Sequence, residues 1–235
     1  MIKIVNHPYL AGLEKAVTWE DSGKFVALGE IFEQLGFAEE DSIQHNKVII
    51  FAKEKNTIDL IEKYIKDQHK TLNYRKLTSD IREGDRFTIA QTFNGDSDIK
   101  VLLVTKAIGG VGLNLSSANT VIMFDNDYNP TIDMQAIDRA HRIGQKRILN
   151  VYRLITKDTL EEKIMGIQKF KKNLAEAIVN IDNASIQNVT ESKLPDLLEN
   201  VRDLQKKTKE ADTKIGNVMY GAIVAEMEAN AIDTE

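Results

Sequence analysis

The chain has 235 residues, of which 42% are hydrophobic, and this length suffices for one large domain or for one domain with an extension. It contains no cysteine, which excludes disulfide bonds and thiolate metal sites, and its four histidines are too scattered to predict a metal site. No apolar stretch approaches the roughly 20 residues of a membrane span, and the first residues lack the layout of a signal peptide, so we expect no membrane partner.

The net charge of -5 is distributed unevenly along the sequence. Residues 139–172 contain ten Lys or Arg and three Asp or Glu, whereas residues 191–235 contain ten acidic and six basic residues. A basic segment beside an acidic one is typical of a surface that binds a polyanion. Solvated helix faces show the same pattern, so charge alone leaves both interpretations open.

Helix and strand patterns alternate between residues 22 and 157. Ser22 is a suitable N-cap for the first helix, and Gly36 is expected to end that helix. Apolar residues at helical spacing predict helices over 23–35, 56–68, 83–93 and 131–142. Short apolar runs predict strands over 47–52, 72–77, 101–104, 120–124 and 149–155. Repeated strand–helix units of this kind predict an α/β fold with a parallel sheet and helices on both of its faces.

Two loops should lie together at the carboxyl ends of the parallel strands, where ligands gather in such sheets. The first, residues 105–115, has three glycines within four positions, which would let backbone amides approach a phosphate or would simply form a tight turn. The second contains Asp125 and Asp127, for which we favour turn and capping roles over metal binding. Asn129 followed by Pro130 then predicts the start of a helix.

The stretch from Gln135 to Gln145 concentrates basic residues behind that helix start. If the helix continues through residue 142, then Gln135, Arg139 and Arg142 share one of its faces. Guanidinium groups that point together favour an anionic partner, and their planar geometry suits phosphate. A solvated basic helix face is the alternative interpretation.

These motifs together resemble the second RecA-like lobe of SWI/SNF-type ATPases that translocate on double-stranded DNA. The motifs are Val-Thr-x-x-x-Gly-Gly-x-Gly-Leu-Asn-Leu at 104–115, Asp-x-Asp-x-Asn-Pro at 125–130 and Gln-Ala-x-Asp-Arg-Ala-His-Arg-Ile-Gly-Gln at 135–145. They occur in the order and at the spacing of the family, and the resemblance covers about residues 1–180. It implies a motor of two lobes with ATP and Mg²⁺ bound between them, held mainly by a first lobe. The Gly-x-x-x-x-Gly-Lys-Thr loop of that first lobe does not occur in these 235 residues. We therefore expect the polypeptide alone to be inactive.

The resemblance also implies roles for individual residues. Arg139 and Arg142 are similar to the arginine fingers that reach the γ-phosphate of ATP, and Gln135 is similar to a residue that positions this segment or the attacking water. Asp138 is expected to orient an arginine beside the nucleotide. The remaining implied site residues are Gly110 and Gly112, in the loop that couples nucleotide to DNA, and Thr105, Lys106 and Asn114 as contacts to DNA phosphates.

We expect four segments: residues 1–21 as a linker from the first lobe, 22–157 as the RecA-like lobe, 158–180 as a brace helix and 181–235 as a polar tail. The tail, a C-terminal extension that is helical or partly disordered, shows helix patterns over 194–207 and 215–227. The sequence of residues 141–171 is similar to that of the modifier-of-transcription branch of this family, which removes the TATA-box-binding protein from promoters in the nucleus. That resemblance implies nuclear localisation and the TATA-box-binding protein as a partner, held through N-terminal repeats that this sequence lacks. A nucleosome-remodelling or repair translocase, or a non-enzymatic DNA-binding scaffold, are the alternatives.

Overall fold

The computed structural model describes residues 2–13, 16–37, 46–109, 112–142, 144–166, 168–169 and 223–228. The helices are α1 (Ile2–Asn6), α2 (Gly23–Gln34), α3 (Lys55–Gln68), α4 (Glu83–Gly95), α5 (Lys106–Gly109), α6 (Pro130–Ile137) and α7 (160–166), with short 3-10 helices at Pro8–Ala11 and Trp19–Asp21. The strands are β1 (Val48–Ala52), β2 (Asn73–Leu77), β3 (Ile99–Thr105), β4 (Thr120–Met123), β5 (Asn150–Thr156) and β6 (Ile223–Glu228). No helix in this described part of the chain is both long enough and apolar enough to span a membrane.

The strands form a sheet in the order β2-β3-β1-β4-β5-β6. The first five strands of that order run parallel, and β1 lies between β3 and β4, with Ile50 opposite Leu103 on one side and Ile122 on the other. Because parallel neighbours need long crossovers, helices connect them and cover the sheet. The RecA-like α/β fold predicted from the sequence is therefore confirmed.

The strand β6 corrects one prediction for the tail. Residues 215–227 carry a helix pattern, but the structure has a strand at Ile223–Glu228 that pairs antiparallel with β5. Its residues Ile-Val-Ala-Glu-Met-Glu begin with two β-branched side chains, and they pair with the edge of β5 residue for residue from Val151 to Thr156. The helix predicted over 194–207 and the second half of the predicted brace helix lie outside the described residues.

Two hydrophobic clusters form the core, one on each face of the sheet. Alternate residues of β1 divide between them, since successive strand side chains point to opposite faces. Val48, Ile50 and Ala52 face the buried apolar sides of α2 and α3. Ile49 and Phe51 face α4 and residues 113–118, together with Ala136 and Ala140. Helices therefore cover both faces of the sheet.

The N-terminal end of α2 is also built differently from the prediction. Ser22 occupies the N-cap position, but its hydroxyl makes no capping bond and donates instead to the carbonyl oxygen of Asn6 at 2.7 Å. The bond attaches α1 to the start of α2. Gly36 has a φ of 76°, and this left-handed conformation ends the helix as predicted.

A cluster of polar side chains joins the edge strand β2 to α3. The carboxylate of Glu62 accepts from the ammonium of Lys76 at 2.6 Å, from that of Lys66 at 2.9 Å and from the hydroxyl of Tyr74 at 2.8 Å. Burial by itself raises the pKa of Glu62, but the hydrogen bonds from Lys76, Lys66 and Tyr74 outweigh it and lower the pKa to about 2 from 4.5. The ionised carboxylate therefore stabilises the folded state.

Replacing this carboxylate should make the stability of the chain depend on pH in a defined range. We expect Glu62→Gln to reduce the free energy of unfolding at pH 7 by about 1 to 2 kcal/mol, since a half-buried pair contributes more than a fully solvated one. The stabilisation is fully present above pH 4.5 and is lost as the pH falls toward about 2, so wild type and variant should converge there. Urea unfolding at several pH values measures the difference. Glu30→Gln, at an exposed position of α2, is the control, and an equal effect of both variants would contradict the prediction.

Candidate functional site

Two loops begin at the carboxyl edge of the sheet, as the strand directions require, and a turn behind α6 contacts the second half of the first of them. The glycine loop (residues 105–115) follows β3, the aspartate loop (residues 124–129) follows β4, and the arginine turn (residues 138–142) follows α6. The aspartate loop caps α6 as predicted, because the Asn129 side chain accepts a hydrogen bond from the amide of Thr131 at 3.2 Å. The carboxylate of Asp127 in turn accepts from the amide of Asn129 at 3.0 Å.

The arginine turn differs from its prediction. The helix α6 ends at Ile137, so Arg139 and Arg142 do not lie on a helix face with Gln135. The amide of Arg139 donates to the carbonyl of Ala136, and that of Ala140 donates to the carbonyl of Ile137. Hydrogen bonds between residues three apart wind the chain more tightly than an α-helix does. Past the end of the helix, the carbonyl of Arg139 accepts from a segment distant in sequence, the amide of Leu115, at 2.9 Å.

The structure brings the arginine turn and the glycine loop into direct contact. Besides the backbone bond of Leu115, the guanidinium of Arg142 donates to the carbonyl oxygen of Gly112 at 3.2 Å. Gly112 has a φ of 41°, in the region that favours glycine. Arg142 is exposed and Arg139 is half-buried. Two motifs whose contacting residues Gly112 and Arg142 are 30 positions apart in sequence therefore form one surface.

The other predicted site residues on this surface differ in exposure. Gln135 on α6 and Asp138 at its C-terminal end are exposed. Asn114 is also exposed; its side chain accepts from the amide of Ser116 at 3.2 Å, and its carbonyl accepts from the Asn94 side chain at 2.8 Å. Gly110 lies outside the described residues.

Thr105 and Lys106 are buried, in contrast to the surface positions that contacts to DNA phosphates suggest. The hydroxyl of Thr105 has no hydrogen-bond partner among the described residues. The ammonium of Lys106 donates to Asp133 Oδ1 at 2.7 Å and to the carbonyl of Asp125, whose carboxylate lies 3.5 Å away. Lys106 thus joins the glycine loop to α6, and DNA contact by these two side chains stays a prediction.

The carboxylate of Asp133, which the sequence interpretation did not single out, connects several elements. Asp133 is fully buried, and besides Lys106 its oxygens accept from the amide of Asp127 at 3.2 Å and from the side chain of Gln168 at 3.0 Å. Arg153 on β5 lies 3.5 Å away. The spacing contained a signal, since Asp133 precedes the buried residue Ala136 by three positions and therefore lies on the same side of α6.

A second buried ammonium, that of Lys24 on α2, gathers the neighbouring chain segments. It donates to the Asn6 side chain at 2.9 Å, to the carbonyl of Phe124 at 2.8 Å and to the carboxylate of Glu161 on α7. Burial lowers the pKa of Lys24, and the adjacent Glu161 carboxylate opposes that shift. The N-terminal segment and α7 are therefore both attached to the carboxyl edge of the sheet by side chains that water does not reach.

Removing the charge of Asp133 should destabilise the chain strongly. Asp133→Asn leaves the ammonium of Lys106 buried beside a neutral group, and loss of one partner from a buried pair costs about 3 to 5 kcal/mol. Because Asp125 remains nearby, we expect about 3 kcal/mol, measured by urea unfolding with the fluorescence of Trp19. Asp138→Asn, at an exposed position of the same segment, should change stability by less than about 0.5 kcal/mol. Equal stability of the two variants would contradict the prediction, because the charge of Asp133 would then contribute no more to the free energy of unfolding than that of Asp138.

Comparisons with known proteins agree with this geometry. Residues 24–144 match the helicase conserved C-terminal domain. The chain is 42% identical over 195 residues to the TATA-binding protein-associated factor BTAF1 of Arabidopsis thaliana, covering 80% of this chain and 10% of that protein. It is 45% identical over 175 residues to the TATA-binding protein-associated factor 172 of Homo sapiens, covering 74% and 9%. It is 34% identical over 200 residues to the chromatin-remodeling ATPase INO80 of Homo sapiens, covering 85% and 12%.

A solved structure, the C-terminal part of the Fun30 ATPase domain, is similar as well. It has a TM-score of 0.59 and 30% sequence identity, and the match covers 83% of this chain and 58% of that chain. The chain spans about a tenth of the length of the curated relatives it matches. Since the family match covers half of the chain and includes the glycine loop, the aspartate loop and the arginine turn, the chain belongs to the helicase conserved C-terminal domain family, as the second RecA-like lobe of a SWI/SNF-type ATPase.

Proposed function

We propose that this chain forms the second motor lobe of an ATP-dependent translocase that moves on double-stranded DNA and remodels protein–DNA complexes. The observation that carries the proposal is the contact between the arginine turn and the glycine loop, made by the guanidinium of Arg142 and the carbonyl of Gly112. A motor must link nucleotide chemistry to its DNA track. Here the arginine turn, proposed to act on the nucleotide, and the glycine loop, proposed to contact DNA, are hydrogen-bonded to each other on one surface.

The nucleotide part of the proposal concerns the exposed face of the arginine turn. An exposed guanidinium such as that of Arg142 suits a phosphate anion, and Arg139 lies three residues before it. ATP and Mg²⁺ would be held mainly by a first lobe with a phosphate-binding loop. Arg142 and Arg139 would then approach the γ-phosphate and stabilise the charge that develops during transfer, with Asp138 orienting an arginine and Gln135 the attacking water.

The DNA part of the proposal concerns the glycine loop. Asn114 is exposed there, and the backbone of Gly112 adopts a conformation that allows close approach of a phosphate. Contacts of this kind act on the DNA backbone, so we infer binding that is independent of base sequence and weakened by salt. Of the three side chains proposed from the sequence, Asn114 is the one whose exposure supports a direct contact.

The protein substrate is the finer part of the proposal. Relatives named TATA-binding protein-associated factors are 42% and 45% identical to this chain, whereas INO80 is 34% identical. We therefore infer that the whole protein acts on the TATA-box-binding protein at promoters in the nucleus, and that it binds this substrate through a part of the protein outside this lobe. Nucleosome remodelling is the second candidate, supported by the match to INO80 over 85% of this chain.

The role of Arg142 can be tested in a two-lobed protein that contains this chain. We expect Arg142→Ala to reduce DNA-stimulated ATP hydrolysis by about 10³ to 10⁵-fold while DNA binding is retained, because an arginine finger acts on the transition state. Phosphate release and filter binding to duplex DNA measure the two properties.

The matched control for this test is Arg75→Ala. Arg75 is also exposed and also donates to a backbone carbonyl, that of Tyr74 at 3.0 Å, but it lies on the edge strand β2. The 235-residue polypeptide by itself is expected to give no turnover. Full turnover in Arg142→Ala would transfer the finger role to Arg139 or remove it.

The substrate proposal makes a separate prediction. The whole protein should release the TATA-box-binding protein from a promoter duplex when ATP is added, and Arg142→Ala should abolish the release. A gel-shift assay on labelled promoter DNA measures it. Sliding of a positioned nucleosome, with no release of the TATA-box-binding protein, would favour the second candidate.

A further inference from the structure

The side chain of Gln145 lies between the arginine turn and the segment that follows the glycine loop. Its Nε2 donates to the carbonyl oxygen of Ala118 at 2.6 Å and lies 3.4 Å from that of Ala140. Its Oε1 accepts from the amide of Arg147 at 3.0 Å. Both ends of the amide group are therefore engaged, and its partners among the described residues are backbone atoms.

The backbone around Gln145 requires such a contact because regular secondary structure has ended. Since α6 stops at Ile137, the carbonyl of Ala140 has no helical amide to bond to. Gly144 has a φ of 106°, which turns the chain, and the amide of Gln145 then bonds to the carbonyl of Arg142 at 2.9 Å. The turn brings the Gln145 side chain back to Ala140, which lies between the two arginines.

We propose that Gln145 is a positioning residue that holds Arg139 and Arg142 in the geometry required for ATP hydrolysis, an inference that rests on the proposed function. The side chain of Ala140 is fully buried in the apolar core, and Gln145 holds the carbonyl oxygen of Ala140 by a hydrogen bond of 3.4 Å. Through Ala118, the same amide group connects the turn to the segment that follows the glycine loop. Gln145 does not contact nucleotide; it acts through the two arginines.

Replacing the amide nitrogen of Gln145 by an oxygen, as in Gln145→Glu, tests this role. In Gln145→Glu the size is retained and the bond from the Arg147 amide persists, but the carboxylate cannot donate to Ala118 or Ala140 and meets two carbonyl oxygens instead. In the two-lobed protein we expect kcat for DNA-stimulated hydrolysis to fall on the order of 10 to 100-fold, the loss that follows from misplacing a catalytic group by about 1 Å. The KM for ATP should stay unchanged, because the arginines act on the transition state.

Two comparisons separate positioning from general destabilisation. Gln34→Glu makes the same change at an exposed position of α2 and should leave kcat unchanged. In each of the backgrounds Arg142→Lys and Arg139→Lys that retains measurable turnover, Gln145→Glu should reduce kcat by a smaller factor than it does in the wild type, since residues that act as a unit are not additive. If Gln145→Glu impairs folding, Gln145→Met removes the donor without adding charge and carries the same expectation.

The outcomes distinguish the inference from the function on which it rests. If the wild-type protein shows no DNA-stimulated hydrolysis, the proposed function fails. If the wild type is active and Gln145→Glu and Gln145→Met retain its kcat, the positioning role alone is overturned. A loss of kcat that multiplies fully with both lysine substitutions would also overturn it, because Gln145 would then act independently of the arginines.

Discussion

The ammonium of Lys106 and the carboxylate of Asp133 meet 2.7 Å apart in the interior, at the edge of the sheet where the strands end. Neither charge can be buried there alone, because transfer of an unpaired ion from water is costly. Each therefore fixes the other, and with them the elements that carry them: the glycine loop and α6. A second buried ion pair, between Lys24 and Glu161, fixes α2 and α7 to each other in the same way. The carboxyl edge is thus assembled around buried ion pairs, while the apolar clusters hold the body of the sheet.

This arrangement explains how an irregular arginine turn can occupy a defined position. Asp133 anchors the first half of α6, and three polar contacts hold the chain after Ile137: the Leu115 amide on Arg139, the Arg142 guanidinium on Gly112, and Gln145 on Ala118. Each contact joins the turn to the glycine loop or to the segment that follows it. The two motifs are therefore linked by a short series of hydrogen bonds.

Most of the fold could be predicted because local patterns and tertiary packing agree for the five parallel strands and the helices between them. The predictions were wrong where a tertiary contact competes with a local preference. The pattern of residues 131–142 favours a continued helix, but the helix ends at Ile137, and the chain after it bonds to Leu115 through the carbonyl of Arg139. The pattern of 215–227 likewise suggests a helix, but the edge of β5 offers strand pairing to Ile223–Glu228.

The sequence by itself determined the family motifs, the order of strands and helices, and the residue types at the site, because these depend on periodicity and spacing along the chain. Only the tertiary structure decided which polar groups face solvent. Lys106, with a charged side chain in a loop motif, is buried against Asp133, whereas Arg142 in a similar loop motif is exposed. That difference arises from neighbours distant in sequence, and burial of a charge is decided by such neighbours rather than by the residues beside it in the chain.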